Sequence, residues 1–163
     1  MRTLLIFVLT ALLVWCVAAD PWLELKAKEP GVHKLPSGML FKVLKKGSGA
    51  KSPNVGDYCD VHYKGTLTSG EQFDSSYDNK TFVPRGSIKG WTEALQLMRE
   101  GDKWEVYVPY NLAYGEAGRP PTIPAKATLV FEIELIKVKS GGKSGDEAVK
   151  QLEVLVGKTI EEL

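Results

Sequence analysis

Cysteine and histidine are scarce in this chain of 163 residues: Cys16 and Cys59, His33 and His62 are all it has. With so few soft or imidazole ligands no cluster has zinc spacing, and neither a structural nor a catalytic metal is expected. A serine hydrolase is equally poorly served, since no G-x-S-x-G elbow occurs and only two histidines could act as base. Gly142-Lys143-Ser144 resembles the end of a phosphate loop, but the glycine needed five residues earlier is Lys137. No organic cofactor motif remains, and none is expected. Charge of one sign is also missing. The formal net charge is +1, which gives no electrostatic case for nucleic acid or an anionic membrane. Glu132 and Glu134 alternate outward on a strand pattern, as solubilising residues do, and are not read as an acid–base pair.

What is present begins with MRTLLIFVLTALLVWCVAAD. Arg2, an apolar run from Leu4 to about Val17 and the small pair Ala18-Ala19 have the layout of a secretory leader over residues 1–19. The run falls short of the roughly 20 apolar residues that span a bilayer, so no stable membrane insertion is expected after cleavage. Cleavage removes Arg2 from the 21 basic residues and leaves them equal to the 20 acidic ones. It also leaves Cys59 alone, with no internal disulfide to form and a strand-like setting that predicts a buried, inert thiol.

Residues 20–36, interrupted by Pro21, Pro30 and Pro36, predict an extended lead-in rather than a helix. Residues 37–139 carry the domain. GMLFKVLKK, YCDVHYKGT, KWEVYVP and TLVFEIELIKVK read as strands, and in the second Cys59, Val61 and Tyr63 share the inward face. Trp91, Ala94, Leu95 and Met98 recur at helical spacing, with Gly101 as the stop. These elements predict an α+β fold, an antiparallel sheet half-wrapped around one short helix. Within a loop-like stretch, Asn79-Lys80-Thr81 is a glycosylation sequon. SGGKSG predicts a flexible linker over 140–145. Residues 146–163 predict a helix with Val149, Leu152, Val156, Ile160 and Leu163 on one stripe and a capping box from Ser144 to Glu147. That stripe either folds back on the domain or mediates self-association, and periodicity leaves both open.

The function rests on an unusual set of apolar side chains in or beside loops: Tyr63, Phe73, Phe82, Ile88, Trp91, Tyr114, Ile123 and Phe131. Singly, each reads as core. Together with long loops that a small core does not need, they predict an apolar pocket with a few polar tips. Asp74 follows Phe73 directly and stands eleven residues after Tyr63. By its position alone it is an acid, a ligand or a turn residue.

VHYKGTLTSGEQFDSS, IKGWTEALQLMREGDKWEVYVPYNLAYG and IPAKATLVFEIELIKV, in this order and at these separations, resemble the FKBP-type peptidyl-prolyl cis-trans isomerases. LPSGMLFKVLKKGSG and GWTEALQLM are most similar to the macrophage infectivity potentiator branch. The resemblance covers about Leu35 to Lys139. It implies a five- or six-stranded antiparallel sheet wrapping a short helix, with proline held in the cleft between them. It further implies that Trp91 is the floor under the proline ring and that Tyr63, Phe73 and Phe131 are its walls. Tyr114 would give its hydroxyl to a substrate carbonyl, and Asp74 would accept the Tyr63 hydroxyl and orient the peptide. Phe82, Ser87, Ile88 and Ile123 would complete the substrate and macrolide contacts.

Three features depart from the family pattern. The loop between Asp74 and Trp91 is shorter than in small members, Ser87 stands where many relatives have valine, and Thr122 replaces one of two aliphatics. The expected partners are proline-containing peptides and proteins and the macrolide inhibitors typical of the family. The rival readings are a binding module without turnover and a secreted chaperone or effector that works through its tail. A monomer is expected, in the secretory pathway. The leader leaves secretion and the endoplasmic reticulum lumen both open, since the terminal IEEL only faintly resembles a retrieval signal.

Overall fold

Two long strands frame the molecule, whose computed structural model describes residues 20–77, 87–159 and 161–163. β4 (Cys59–Leu67) and β7 (Leu129–Val138) pair antiparallel from Cys59 opposite Val138 to Leu67 opposite Leu129. β1 (Val32–Lys34), β2 (Leu40–Lys45), β5 (Gln72–Ser75) and β6 (Lys103–Val108) complete a six-stranded antiparallel sheet in the order β1-β2-β6-β7-β4-β5. The expected α+β architecture is therefore present, with six strands in its main sheet. Cys59, Val61 and Tyr63 point into the core as their alternation predicts, while Lys64 is exposed. Phe41 stacks on Trp104 at 4.6 Å in the same interior.

α2 (Lys89–Leu97) crosses that inner face and buries Trp91, Ala94, Leu95 and Leu97. Its close seat depends on Gly90, where a Cβ would lie 2.5 Å from Val108 Cγ1. The helix ends at Leu97, ahead of the expected stop, because Met98 is already extended; Gly101, at φ +90°, turns the chain afterwards. Buried Asp102 ties this turn to a neighbouring loop by accepting from Arg99 N at 2.9 Å and Gly47 N at 2.5 Å. Burial pushes its carboxyl up from the ordinary range, while those two amides pull it down.

The lead-in is more structured than its prolines predict. α1 (Pro21–Lys26) is a short helix, with Asp20 accepting from Trp22 N at 2.9 Å and Pro21 in the first turn. Proline is tolerated there because its missing N–H has no helical partner to lose. Leu23 joins Leu40 and Tyr107 in a second buried cluster, with Trp22 against Tyr107 at 5.8 Å. β1 then adds an edge strand, so the sheet starts at Val32 rather than near Ser37.

β1 also buries His33 against Phe41, at 5.3 Å between ring centres. Burial, and then the charge of Lys158, hold its imidazole below the usual 6.5. A group depressed on folding resists the proton that the unfolded chain accepts, so its share of stability is whole above about 6.5 and shrinks as the pH falls. The melting temperature is expected to drop between pH about 7.5 and 5.5, and His33→Phe to flatten that slope. Equal slopes in thermal melts of the two proteins would remove His33 from the cause.

The C-terminal segment likewise differs from a linker followed by one helix. Lys143–Ser144 forms β8 and pairs with β3 (Lys51–Ser52). Asp57 anchors the approach by accepting from Asn54 N at 2.7 Å and Gly142 N at 2.8 Å. Gly141 and Gly142 both take positive φ, at 65° and 90°, so the glycines that look flexible in the sequence make a fixed turn here. α3 (Gly145–Val156) begins with the Ser144 hydroxyl accepting from Asp146 N at 3.3 Å and ends at left-handed Gly157, well short of residue 163. Ala148 and Leu152 are buried, and Leu152 belongs to the main core. Ile160 lies outside the described residues. No helix among the described residues is long and apolar enough to cross a membrane.

Candidate functional site

Strict strand alternation would send Phe73 and Asp74 to opposite faces of the sheet. β5 avoids this with a bulge: Gly65 faces Asp74 and Thr66 faces Gln72, which leaves Phe73 as the extra residue. Both neighbours therefore line one cleft. Phe73 meets Phe131 edge to face at 5.6 Å. Asp74 Oδ2 accepts the Tyr63 hydroxyl at 2.6 Å, and its Oδ1 faces Ser75 N at 2.9 Å.

Trp91 lies beneath these groups at the start of α2, 4% exposed. Its ring meets Tyr63 at 5.0 Å and Phe131 at 5.4 Å, both edge to face. Three perpendicular aromatic contacts make a rigid apolar box, since each ring presents its edge to its neighbour's electron-rich face. Burial first, and then Asp74, push the Tyr63 phenol far above its ordinary range, so it is a neutral hydrogen-bond donor at physiological pH. Tyr114 and Ile123 come from the loop before β7. Ile123 is buried and Tyr114 half-buried at the rim of a cleft of about 390 Å³. Cys59 is no poised nucleophile: it is buried in the core, and its thiol is raised to about 11 by burial, then by Asp60 and Asp57. Among the described residues no three His, Cys, Asp or Glu side chains converge to hold a metal ion.

The fold thus brings together Tyr63, Phe73, Asp74, Trp91, Ile123 and Phe131, with Tyr114 beside them. Ile88 is the half-buried residue that opens α2, and Ser87 stands next to it. Phe82 and Asn79 lie outside the described residues. A somewhat larger hollow of about 420 Å³ sits between Pro53, Tyr58 and α2, but of the expected site residues it touches only Ser87. The smaller cleft, lined by Phe73, Asp74, Tyr114 and Ile123 and adjoining the aromatic box through Phe73, is the better candidate.

Two residues that sequence reasoning missed build the walls. A Cβ on Gly65 would lie 2.6 and 2.7 Å from the Phe73 ring and 3.0 Å from Phe131. A glycine inside a strand between aromatic positions is the signal that marks it. Buried Ser76 accepts from Tyr63 N through its hydroxyl at 2.9 Å and donates its own N–H to Tyr63 O at 2.9 Å. It so continues the ladder past the end of β5. Gly65→Ala is expected to displace the Phe73 wall and, as an overpacked position, to cost about 1–3 kcal/mol in stability. An unchanged urea midpoint in that variant would show that the wall yields without strain.

Residues 49–136 match the family model described as FKBP-type peptidyl-prolyl cis-trans isomerase. The chain is 50% identical over 125 residues to a macrophage infectivity potentiator of Trypanosoma cruzi, covering 75% of this chain and 64% of that protein. It is 45% identical over 134 residues to an FKBP-type peptidyl-prolyl cis-trans isomerase, FkpA, of Aeromonas hydrophila, covering 80% and 49%. The chain therefore spans about half to two thirds of the length of these relatives. Among solved structures, a peptidyl-prolyl cis-trans isomerase from Pseudomonas syringae pv. tomato superposes with a TM-score of 0.68 at 38% identity, over 74% of this chain and 90% of that one.

Proposed function

We propose that this chain, which belongs to the family of FKBP-type peptidyl-prolyl cis-trans isomerases, accelerates rotation about Xaa-Pro bonds in protein substrates. The observation that carries this reading is the aromatic box over Trp91, closed on one side by the Tyr63–Asp74 hydrogen bond of 2.6 Å. Rotation of an Xaa-Pro bond is slow because it breaks amide resonance, at a barrier of about 18–20 kcal/mol. Twisting the bond removes the charge separation of the planar amide. A cleft that withholds water destabilises the planar form more than the twisted one and so favours the transition state. No bond to the protein needs to form.

In this reading the proline ring rests on Trp91 between Tyr63, Phe73 and Phe131. Tyr114 donates to a flanking carbonyl, and Ile88, Ser87 and Ile123 hold the neighbouring backbone. Asp74 is neither an acid catalyst nor a metal ligand. Its carboxylate fixes Tyr63 and orients the peptide. The same box is the proposed seat of macrolide inhibitors. Residues 1–19 are proposed to direct export through the secretory route, and the protein is proposed to act there as a monomer on folding or secreted chains.

The test is the cis-to-trans isomerisation of a short Phe-Pro peptide by the purified protein, with Asp74→Leu alongside. Removing a charge-assisted hydrogen bond is expected to cost about tenfold or more in kcat/KM. Acceleration that a macrolide abolishes supports the reading. No acceleration by the folded protein would leave a proline-binding module without turnover, and unchanged rates in Asp74→Leu would remove that residue from the site.

A further inference from the structure

Among the described residues, one cation at the cleft has no carboxylate partner. Arg119 lines the same hollow as Phe73 and Asp74, and its guanidinium lies 5.8 Å from the centre of the Tyr114 ring. Its backbone is fixed by a two-bond bridge to Ile123, with Arg119 N donating to Ile123 O at 2.8 Å and Ile123 N to Arg119 O at 3.0 Å. Gly118 makes this tight turn feasible, since at its φ of +68° a Cβ would fall 2.3 Å from Pro124 O. Residues paired across such a bridge put their side chains on one face, with Cβ atoms about 5 Å apart. Arg119 therefore leaves the backbone beside Ile123, a buried residue at the cleft, and its guanidinium lies over the Tyr114 ring within cation–π range.

Arg119 takes part in no ion pair among the described residues. The nearby loop acid Glu116 is engaged by Lys126 at 3.8 Å, and Asp74 is held by Tyr63. Among the described residues the cleft is thus polarised, with an engaged carboxylate, Asp74, and a cation without an ion pair, Arg119, both on its lining. Consecutive Cα atoms are about 3.8 Å apart, so a residue adjacent to a proline seated between Ile123 and the aromatic box comes within reach of that cation.

Resting on the isomerase reading and extending it to substrate class, we infer that the cleft selects proline segments with a carboxylate side chain next to the proline, read by Arg119. The experiment uses two pairs of short peptides, one pair differing only as glutamate or glutamine before the proline and the other only after it. The purified protein is expected to prefer glutamate about two- to fivefold in kcat/KM in at least one pair, the size of a solvent-exposed ion pair. That ratio should fall to about one in Arg119→Gln, persist in part in Arg119→Lys, and vanish in about 1 M salt, where charges are screened within roughly 3 Å. Equal use of glutamate and glutamine by the wild type, or a preference that survives Arg119→Gln, overturns the inference. If no peptide is accelerated, the isomerase reading falls by itself. The same glutamate-to-glutamine ratio, read as affinity by titration calorimetry, then decides the role of Arg119.

Discussion

Trp91→Ala is expected to lower kcat/KM for a proline peptide by about a hundredfold, or roughly 2.7 kcal/mol of transition-state stabilisation. The magnitude follows from what the ring supports. It is almost fully buried, forms the floor of the box and braces Tyr63 and Phe131 edge to face. Apolar contact with a seated proline ring is worth about 1.5–3 kcal/mol at full burial. Without the indole, Tyr63 and Phe131 also lose the contact that holds them upright.

The same substitution removes a core side chain and should cost about 3–5 kcal/mol in stability, so the rate must be read where circular dichroism shows the variant folded. Trp91→Phe separates the two effects. It keeps an aromatic floor, shrinks the cavity and is expected to stay within about tenfold of the wild-type rate. If folded Trp91→Ala turned over peptide at the wild-type rate, proline would not sit on Trp91.

The sheet and most of the box could be read in the sequence because each rests on a local pattern. Alternation in Cys59, Val61 and Tyr63 fixed an inward face, and three ordered motifs gathered residues as distant as Tyr63 and Phe131. What escaped depends on contacts that no local pattern carries. The bulge that turns Phe73 and Asp74 into one cleft needs the register of two strands. Gly65 and Ser76 matter through what lies across from them, and Arg119 through a bridge to Ile123. The lead-in and the tail misled for a related reason. Prolines and glycines mark where regular structure is costly, but Pro21 sits at the one place in a helix where it costs little, and Gly141 and Gly142 close a turn held by Asp57.

Leu152→Ala is expected to destabilise the protein by about 2–5 kcal/mol, the cost of emptying a buried leucine site. Leu152 is 1% exposed and belongs to the same core as Trp91, so α3 is part of the domain's packing and not an appendage. Against a total stability of about 5–15 kcal/mol, that loss should move the urea midpoint clearly. Val154, 82% exposed on the same helix, is the internal control, and Val154→Ala should change stability by no more than about 0.5 kcal/mol. Cutting the chain after Lys139 would remove Leu152 together with the β3–β8 pairing and bare the apolar surface under α3. A truncated protein is therefore expected to unfold more readily, and any loss of activity in it must first be corrected for the folded fraction. Among the described residues association through the tail has little left to work with, because Leu152, Leu155, Val156 and Leu163 pack on the core and exposed Val154 is ordinary surface. Sedimentation of the full chain should accordingly give a monomer. If Leu152→Ala kept the wild-type midpoint while the protein sedimented as a dimer, the tail would be serving a second copy instead.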